Sequence, residues 1–190
     1  MAYLSLHDRL RGPIAEALKR ELKIKNIHAL PRIEKVVVNV GINRGKTEGK
    51  DFQEYIVETL AKMTGQKPTL RVSRKAISNF KILKGLVVGA MVTLRGKKME
   101  AFLDRLVSFV FPRIRDFRGL SSKGDGNGNY AVGLTDVSVF PEIPPPSDAN
   151  RMFGCQIQIA TTAKSDKETH VLLKEIGFPF KTERSTLQSS

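Results

Sequence analysis

Apolar residues recur along this chain at two different periods. The helical period appears in four stretches. From about Ser5 to Leu22, the side chains of Leu6, Leu10, Ile14, Ala17 and Leu18 fall near one face, with Pro13 predicted to kink or break the helix. Phe52, Tyr55, Ile56, Leu60 and Met63 form a second helical face, stopped by Gly65 and Pro68. In the third stretch Met99, Phe102, Leu103, Leu106, Val107 and Val110 step through i, i+3, i+4, i+7, i+8 and i+11. The fourth runs from about Asp166 to Ile176, with Ser165 as its cap and Gly177 as its stop.

The period of two marks strands between these helices. In "IEKVVVNVGI" the inner side is Val36, Val38, Val40 and Ile42, leaving Lys35, Val37 and Asn39 opposite. In "AMVTLRG" the inner side is Ala90, Val92 and Leu94, so Met91, Thr93 and Arg95 look away. In "CQIQIATT" it is Cys155, Ile157 and Ile159, with Gln156 and Gln158 opposite. The predicted fold class is α+β: a mostly antiparallel sheet with helices packed on one face and a long basic loop, in a single domain over residues 1–180. Residues 119–129 ("GLSSKGDGNGN") and 141–150 ("PEIPPPSDAN") read as loops, and residues 181–190 as a disordered tail.

A polar second face can simply meet water. Charge changes that picture. The 190 residues hold 32 Lys and Arg against 19 Asp and Glu, a formal net charge of +13. From Thr59 to Met99 there are ten cations (Lys62, Lys67, Arg71, Arg74, Lys75, Lys81, Lys84, Arg95, Lys97 and Lys98) and no acid. Solvated surfaces mix their signs, so this segment predicts a polyanionic partner, with nucleic acid foremost. A membrane is not the expected partner. The longest apolar run, "GLVVGAMV", is far below the roughly 20 residues of a spanning helix. Ala2 stands where myristoylation needs Gly. No leader of cationic and apolar type opens the chain, and one cysteine, Cys155, cannot form an internal disulfide, so a cytoplasmic location is expected.

Motifs for catalysis fail on spacing. "VGINRGKT" ends like a phosphate-binding loop, but Gly41 and Gly45 enclose three residues where the motif needs four, and the helix begins only near Asp51. "DGNGNY" has Asp125, Asn127 and Asn129 at the alternating positions of a calcium loop, yet Tyr130 sits where Gly is required and no Glu follows at the twelfth position. Turn chemistry accounts for it. His7, His28 and His170 share no ligand spacing, and a single Cys makes no thiolate zinc site. Asp104 and Asp116 each adjoin an Arg, which reads as surface ion pairing. Neither a cofactor nor a metal is expected, and no enzymatic activity.

Several segments in order then carry a resemblance: "LPRIEKVVVNVGI", "TGQKPTLRVSRKAISNFKILKG", "VTLRGKKMEAFLDRL", "PRIRDFRGLS", "GNY", "FPEI" and "TTAKSD". From about Leu30 to Phe180 the chain resembles the bacterial-type large-subunit ribosomal protein five, the family that binds 5S rRNA in the central protuberance. The resemblance implies a structural ribosomal protein that attaches 5S rRNA to the large-subunit rRNA beside neighbouring large-subunit proteins. It also implies a basic loop against P-site tRNA and a bridge to a small-subunit head protein. By this resemblance Asn39, Gln66 and Thr93 contact 5S rRNA; Lys35, Lys67, Arg71 and Arg95, from the charge pattern, are expected on the same rRNA-binding surface. Arg74, Lys75, Phe80, Lys81 and Lys84, within a loop of about Arg74 to Gly85, face tRNA. Arg113, Arg115, Arg118 and Glu142 contribute to the small-subunit bridge. Asn39 and Thr93 are also residues that the period of two turns outward.

The chain departs from the family in two places. Members commonly carry "KSFDGRGNY" where this chain has the shorter "KGDGNGNY", and an Asp-rich stretch after "FPEI" where this chain has "PPPSDAN". The family's bridge draws on that acidic stretch as well as on "PRIRDFRG". Two other functions would use the same basic face. An RNA-processing enzyme would need a convergent acid, base or metal cluster, which the sequence lacks, and a general nucleic-acid chaperone would bind without preference for 5S rRNA.

Overall fold

The computed structural model describes residues 5–42, 50–80, 82–144 and 152–181. Helices α1 (Leu6–Arg11) and α2 (Pro13–Leu22) are separated at Gly12, and Pro13 occupies the first turn of α2, where its missing N–H costs no hydrogen bond. The predicted break therefore falls where the sequence placed it. Strand β1 (Ile33–Gly41) follows, then helix α3 (Lys50–Thr64), strands β2 (Thr69–Val72) and β3 (Val87–Leu94), and helix α4 (Gly96–Arg105). A π turn (Leu106–Val110) and the short helix α5 (Phe111–Arg113) continue from α4. Strand β4 (Tyr130–Leu134), strand β5 (Cys155–Thr161) and helix α6 (Asp166–Ile176) complete the order. The architecture is α+β, with a five-stranded antiparallel sheet in the order β2-β3-β1-β5-β4.

Two compact units emerge from the contacts: Met1–Val36 with Arg95–Val132 and Ile159–Ser190, and Val37–Leu94 with Gly133–Gln158. In the second unit α3 packs on β3 and buries Ile56, Leu60 and Met63 completely. Phe153 sets its ring edge-on to both Phe52 and Tyr55, with centroids 6.1 and 6.0 Å apart. In the first unit α1, α2, α4 and α6 pack together, with Leu6, Ile14, Leu18, Phe102, Leu103 and Leu172 inside. Phe111 is buried between the stacked ring of Phe117 and the edge-on ring of Phe178.

Four differences from the sequence-based reading have physical causes. The helix expected through Val110 is α-helical only to Arg105; the Phe111 N–H then reaches back to the Leu106 carbonyl, the five-residue step of a π turn. Strand β2 escapes the sequence pattern because it is only four residues long and all of them are exposed, so its polar–apolar alternation corresponds to no buried side; pairing with β3 makes it a strand. Strand β4 does alternate, burying Tyr130, Val132 and Leu134, but follows directly on the glycine-rich turn. The loop expected at 74–85 is internally bonded, as described below. The glycine loop at 43–49, most of the Pro-rich stretch (145–151) and the tail from 182 lie outside the described residues.

Asp125 shows why "DGNGNY" is a turn. Its carboxylate accepts the N–H groups of Asn127 (2.8 Å) and Asn129 (2.9 Å) and the Asn129 side-chain amide (2.8 Å), and these bonds hold it below the usual carboxylate range. Asp166, the first residue of α6, accepts from the Gly126 and Gly128 amides. Thr161 and Thr169 both donate to the Gly128 carbonyl at 2.6 Å. One turn thereby ties the end of β5 to the start of α6. Cys155 is buried, and burial pushes its thiol up to about 12, so it stays protonated and inert at neutral pH.

Gly128 has φ +81°, and a Cβ there would fall on the Ala163 carbonyl. Gly128→Ala is expected to destabilise the chain by on the order of 3 kcal/mol, from the left-handed backbone and the clash together. Thermal unfolding followed by circular dichroism checks this; an unchanged midpoint would mean that the turn does not anchor β5 and α6.

Candidate nucleic-acid interface

Alternation along the strands separates the two faces of the sheet. In β1, Val36, Val38 and Val40 are at most 1% exposed, while Lys35, Val37 and Asn39 between them are only half-buried. In β3, Ala90, Val92 and Leu94 are buried, and Met91 and Thr93 are half-buried. In β5, Gln156 and Gln158 are exposed between buried Cys155, Ile157 and Ile159. The second unit thus presents an open face bearing Val37, Asn39, Met91, Thr93, Gln156 and Gln158. Thr69 pairs with Met91 and Arg71 with Gly89, so Thr69 and Arg71 extend this face at the sheet's edge. Its centre is neutral and hydrogen-bonding, with amides, a hydroxyl and a thioether, and its cations lie on the edge strand.

Gln66, just after α3, donates its side-chain amide to the Thr93 carbonyl at 3.3 Å, which places Gln66 beside Thr93. Arg71 is exposed, its guanidinium 3.9 Å from the Met91 sulfur. Lys67 is exposed. Lys35 lies on the outward side of β1, and Arg95 is exposed at the extended residue preceding α4. The structure therefore brings together Asn39, Gln66, Arg71 and Thr93. Gln156, Gln158 and Thr69 belong to the same face but are not among the predicted site residues. The alternation of "CQIQIATT" carried the signal for the glutamines; for Thr69 it was only the four-residue alternation of "TLRV", too short to mark a strand by itself.

Residues 73–80 and 82–86 continue the β2–β3 hairpin. The Ser73 N–H donates to the Leu86 carbonyl (2.8 Å) and the Gly85 N–H to the Ser73 carbonyl (2.9 Å). Further out, Ile77 and Ile82 exchange both backbone bonds, at 2.8 and 3.1 Å, around a single 3₁₀ turn at Ser78–Phe80. Alternating burial is absent because both sides of this arm face solvent, which is why periodicity misses it. Arg74, Lys75 and Lys84 are exposed on it, with Phe80 71% and Leu83 65% exposed. Lys81 lies outside the described residues.

Ion pairing leaves this region positive. Lys62 meets Glu58 at 2.8 Å and holds that carboxyl below its usual range, so one of the ten cations already has an anionic partner. Among the described residues, Arg71, Arg74, Lys75, Lys84 and Arg95 meet no carboxylate. Arg113, at the end of α5, and Arg115 and Arg118 are exposed close together in sequence. Glu142 is half-buried. Among the described residues there is also no grouping of three or more His, Cys, Asp or Glu suited to a metal ion, and no helix is long and apolar enough to cross a membrane.

Comparison with known proteins identifies the family. Residues 26–82 match the family described as ribosomal protein L5, and residues 87–180 match the model for the C-terminus of the same ribosomal family. The large ribosomal subunit protein uL5 of Thermosipho melanesiensis is 47% identical, over 95% of this chain and 99% of its own length. That of Thermotoga maritima is 47% identical over 94% of this chain and 97% of its own length. That of Saccharopolyspora erythraea is 48% identical over 93% and 94%. With an unneutralised basic arm, an open polar sheet face and family matches over nearly the whole chain, this protein belongs to the ribosomal protein L5 family and is a structural ribosomal protein, not an enzyme.

Proposed function

We propose that this large-subunit protein holds 5S rRNA on the open sheet face, attaches it to the large rRNA in the central protuberance, and reaches P-site tRNA with the 73–86 hairpin. The observation that carries the reading is the face itself. A half-exposed sheet whose centre offers Asn39, Thr93, Gln156 and Gln158 supplies donors and acceptors for bases and 2′-hydroxyls without a charge on every residue. Lys67, Arg71 and Arg95 supply the phosphate contacts that fix orientation. The arm divides labour with the face: Arg74, Lys75, Lys81 and Lys84 suit phosphates, and exposed Phe80 suits stacking on a base. Arg113, Arg115 and Arg118 are proposed to contribute, with Glu142, to the bridge with a small-subunit head protein, as the family resemblance implies.

Asn39→Ala and Thr93→Ala should each weaken 5S rRNA binding by about 1–3 kcal/mol, because each leaves a desolvated RNA group without its partner. Stability should change by less than about 0.5 kcal/mol, since neither side chain is in the core. A filter-binding titration against 5S rRNA and an unrelated RNA of equal length, with a melt of each variant, checks both. Loss of stability with affinity retained would put these side chains to structural use.

Log affinity for 5S rRNA should also fall linearly with log salt, by roughly 0.7–0.9 per phosphate contact. A flat titration between low and high salt would remove phosphate neutralisation from the account.

Arg74→Ala/Lys75→Ala/Lys84→Ala should leave folding and isolated 5S rRNA binding unchanged, because these side chains lie outside the core and off the open face. Assembled ribosomes should retain P-site tRNA less well, by about 1 kcal/mol per lost contact and most visibly at low salt. Loss of 5S rRNA binding with normal tRNA retention would reverse the division between face and arm.

A further inference from the structure

A cleft in the first unit has no part in the interface above. It measures about 410 Å³ and is floored by the buried side chains of Leu18, Leu30, Met99 and Leu172. That volume lies within the roughly 300–1,000 Å³ of sites that take one small flat molecule. Its lip is the single 3₁₀ turn Ile27–Ala29, held by the Asn26 side chain, which accepts the His28 N–H at 2.9 Å. Ile27 stands 58% exposed on that turn, an apolar ledge without a cover. Arg11, the last residue of α1, and Arg32, just before β1, also line the cleft; both are exposed, and neither meets a carboxylate among the described residues.

The wall also holds His28 and a hydrogen-bonded contact between His7 and Glu100. His7 Nδ1 lies 3.0 and 3.1 Å from the two Glu100 carboxylate oxygens. With Nδ1 held by the carboxylate, Nε2 is the ring nitrogen left for a further hydrogen bond. The cleft therefore combines an apolar floor, two cations, a carboxylate that accepts hydrogen bonds and an imidazole nitrogen beside it. An anionic group would satisfy the arginines, and Glu100 calls in addition for a hydrogen-bond donor. A nucleotide satisfies all three features: a flat face for the floor and ledge, base edges that offer exocyclic amino or ring N–H donors to Glu100 and both donors and acceptors to His7, and a phosphate for Arg11 and Arg32.

We propose that this cleft captures one unstacked nucleotide of ribosomal RNA, with the base on the apolar floor and the phosphate at Arg11 and Arg32. The inference rests on the reading of this chain as an rRNA-binding protein, but uses none of the open-face residues. It adds a second, base-inserting attachment to an interface otherwise made of a sheet face and an arm.

The test is chemical probing of the cognate 5S and large-subunit rRNAs in reconstituted large subunits. Subunits carry the full chain as wild type, Arg11→Ala/Arg32→Ala, Ala15→Phe, or Asn39→Ala/Thr93→Ala. Ala15 lines the cleft and is half-buried, so Phe fills the space from its wall, and the arginine pair, being exposed, tests the site without touching the core. One nucleotide protected at its base in wild type should become several-fold more reactive in both cleft variants, while the 5S protections lost in the Asn39/Thr93 variant remain. If both cleft variants leave every rRNA reactivity unchanged while the Asn39/Thr93 variant alters the 5S pattern, the cleft inference fails and the open-face function stands. If the Asn39/Thr93 variant also changes nothing, the rRNA-face reading fails with it. A photo-crosslinker at Ile27 that joins a ribosomal protein and no RNA would overturn the nucleotide in favour of a peptide occupant.

Discussion

The register of β1 is the constraint on which the rest depends. β1 runs between β3 and β5 in the sheet, and Val36, Val38 and Val40 are essentially inaccessible on one side of it. Because side chains alternate strictly, a slip of one residue would drive Asn39 into the apolar layer and expose three valines. At about 25 cal/mol per Å² of apolar surface, burying each valine stabilises this register by on the order of 2 kcal/mol, so the alternative is sparsely populated. The orientation of Asn39 towards solvent is thus a by-product of the core. Gly89 contributes to the same closeness, since a Cβ there would come 2.8 Å from the Val40 carbonyl oxygen of the neighbouring strand.

The binding chemistry is arranged around that fixed register. Neutral side chains, most of them hydrogen-bonding, occupy the middle of the open face, where a row of cations would repel itself, and apart from Lys35 on β1 the charge lies on the edge strand, the turn after α3 and the hairpin. Solvent at those places screens the repulsion until a polyanion replaces it. The hairpin carries its charges on a backbone with its own hydrogen bonds, so it can extend from the sheet without contributing to the core. Its exposed Phe80 and Leu83 would be a liability in a free monomer, and they are consistent with a surface that is covered when assembled.

At the other end of β5 the opposite strategy operates. The turn at Asp125–Asn129 binds its own carboxylate, lends two amides to Asp166 and receives two threonine hydroxyls on the Gly128 carbonyl. The carboxylate, the glycine amides and the Gly128 carbonyl are used internally, and a sequence that looks like a cation loop is spent on joining a strand to a helix. Polar residues alone do not mark a binding site; the difference lies in whether their partners are inside the chain.

Much of this was legible in the sequence. The helices α1 and α2 with their break, α3, most of α4, α6, and strands β1, β3 and β5 follow from periodicity, because each has one buried side and one exposed side. The outward turn of Asn39 and Thr93 and the acid-free run of cations follow for the same reason: they depend on neighbours in sequence. What sequence periodicity could not supply are features made by residues distant in the chain. Strand β2 and the hairpin at 73–86 have no buried side, and only backbone bonds to a partner segment define them. The α4 helix becomes a π turn at Leu106 without any break in its apolar pattern. Gln66 joins the site through the Thr93 carbonyl, and the cleft gathers residues from α1, α2, the turn at Ile27, α4 and α6, whose proximity is decided by packing. Periodicity reports how each segment divides its own surface between core and solvent. Which solvent-facing residues come to share one surface is decided only when the segments pack.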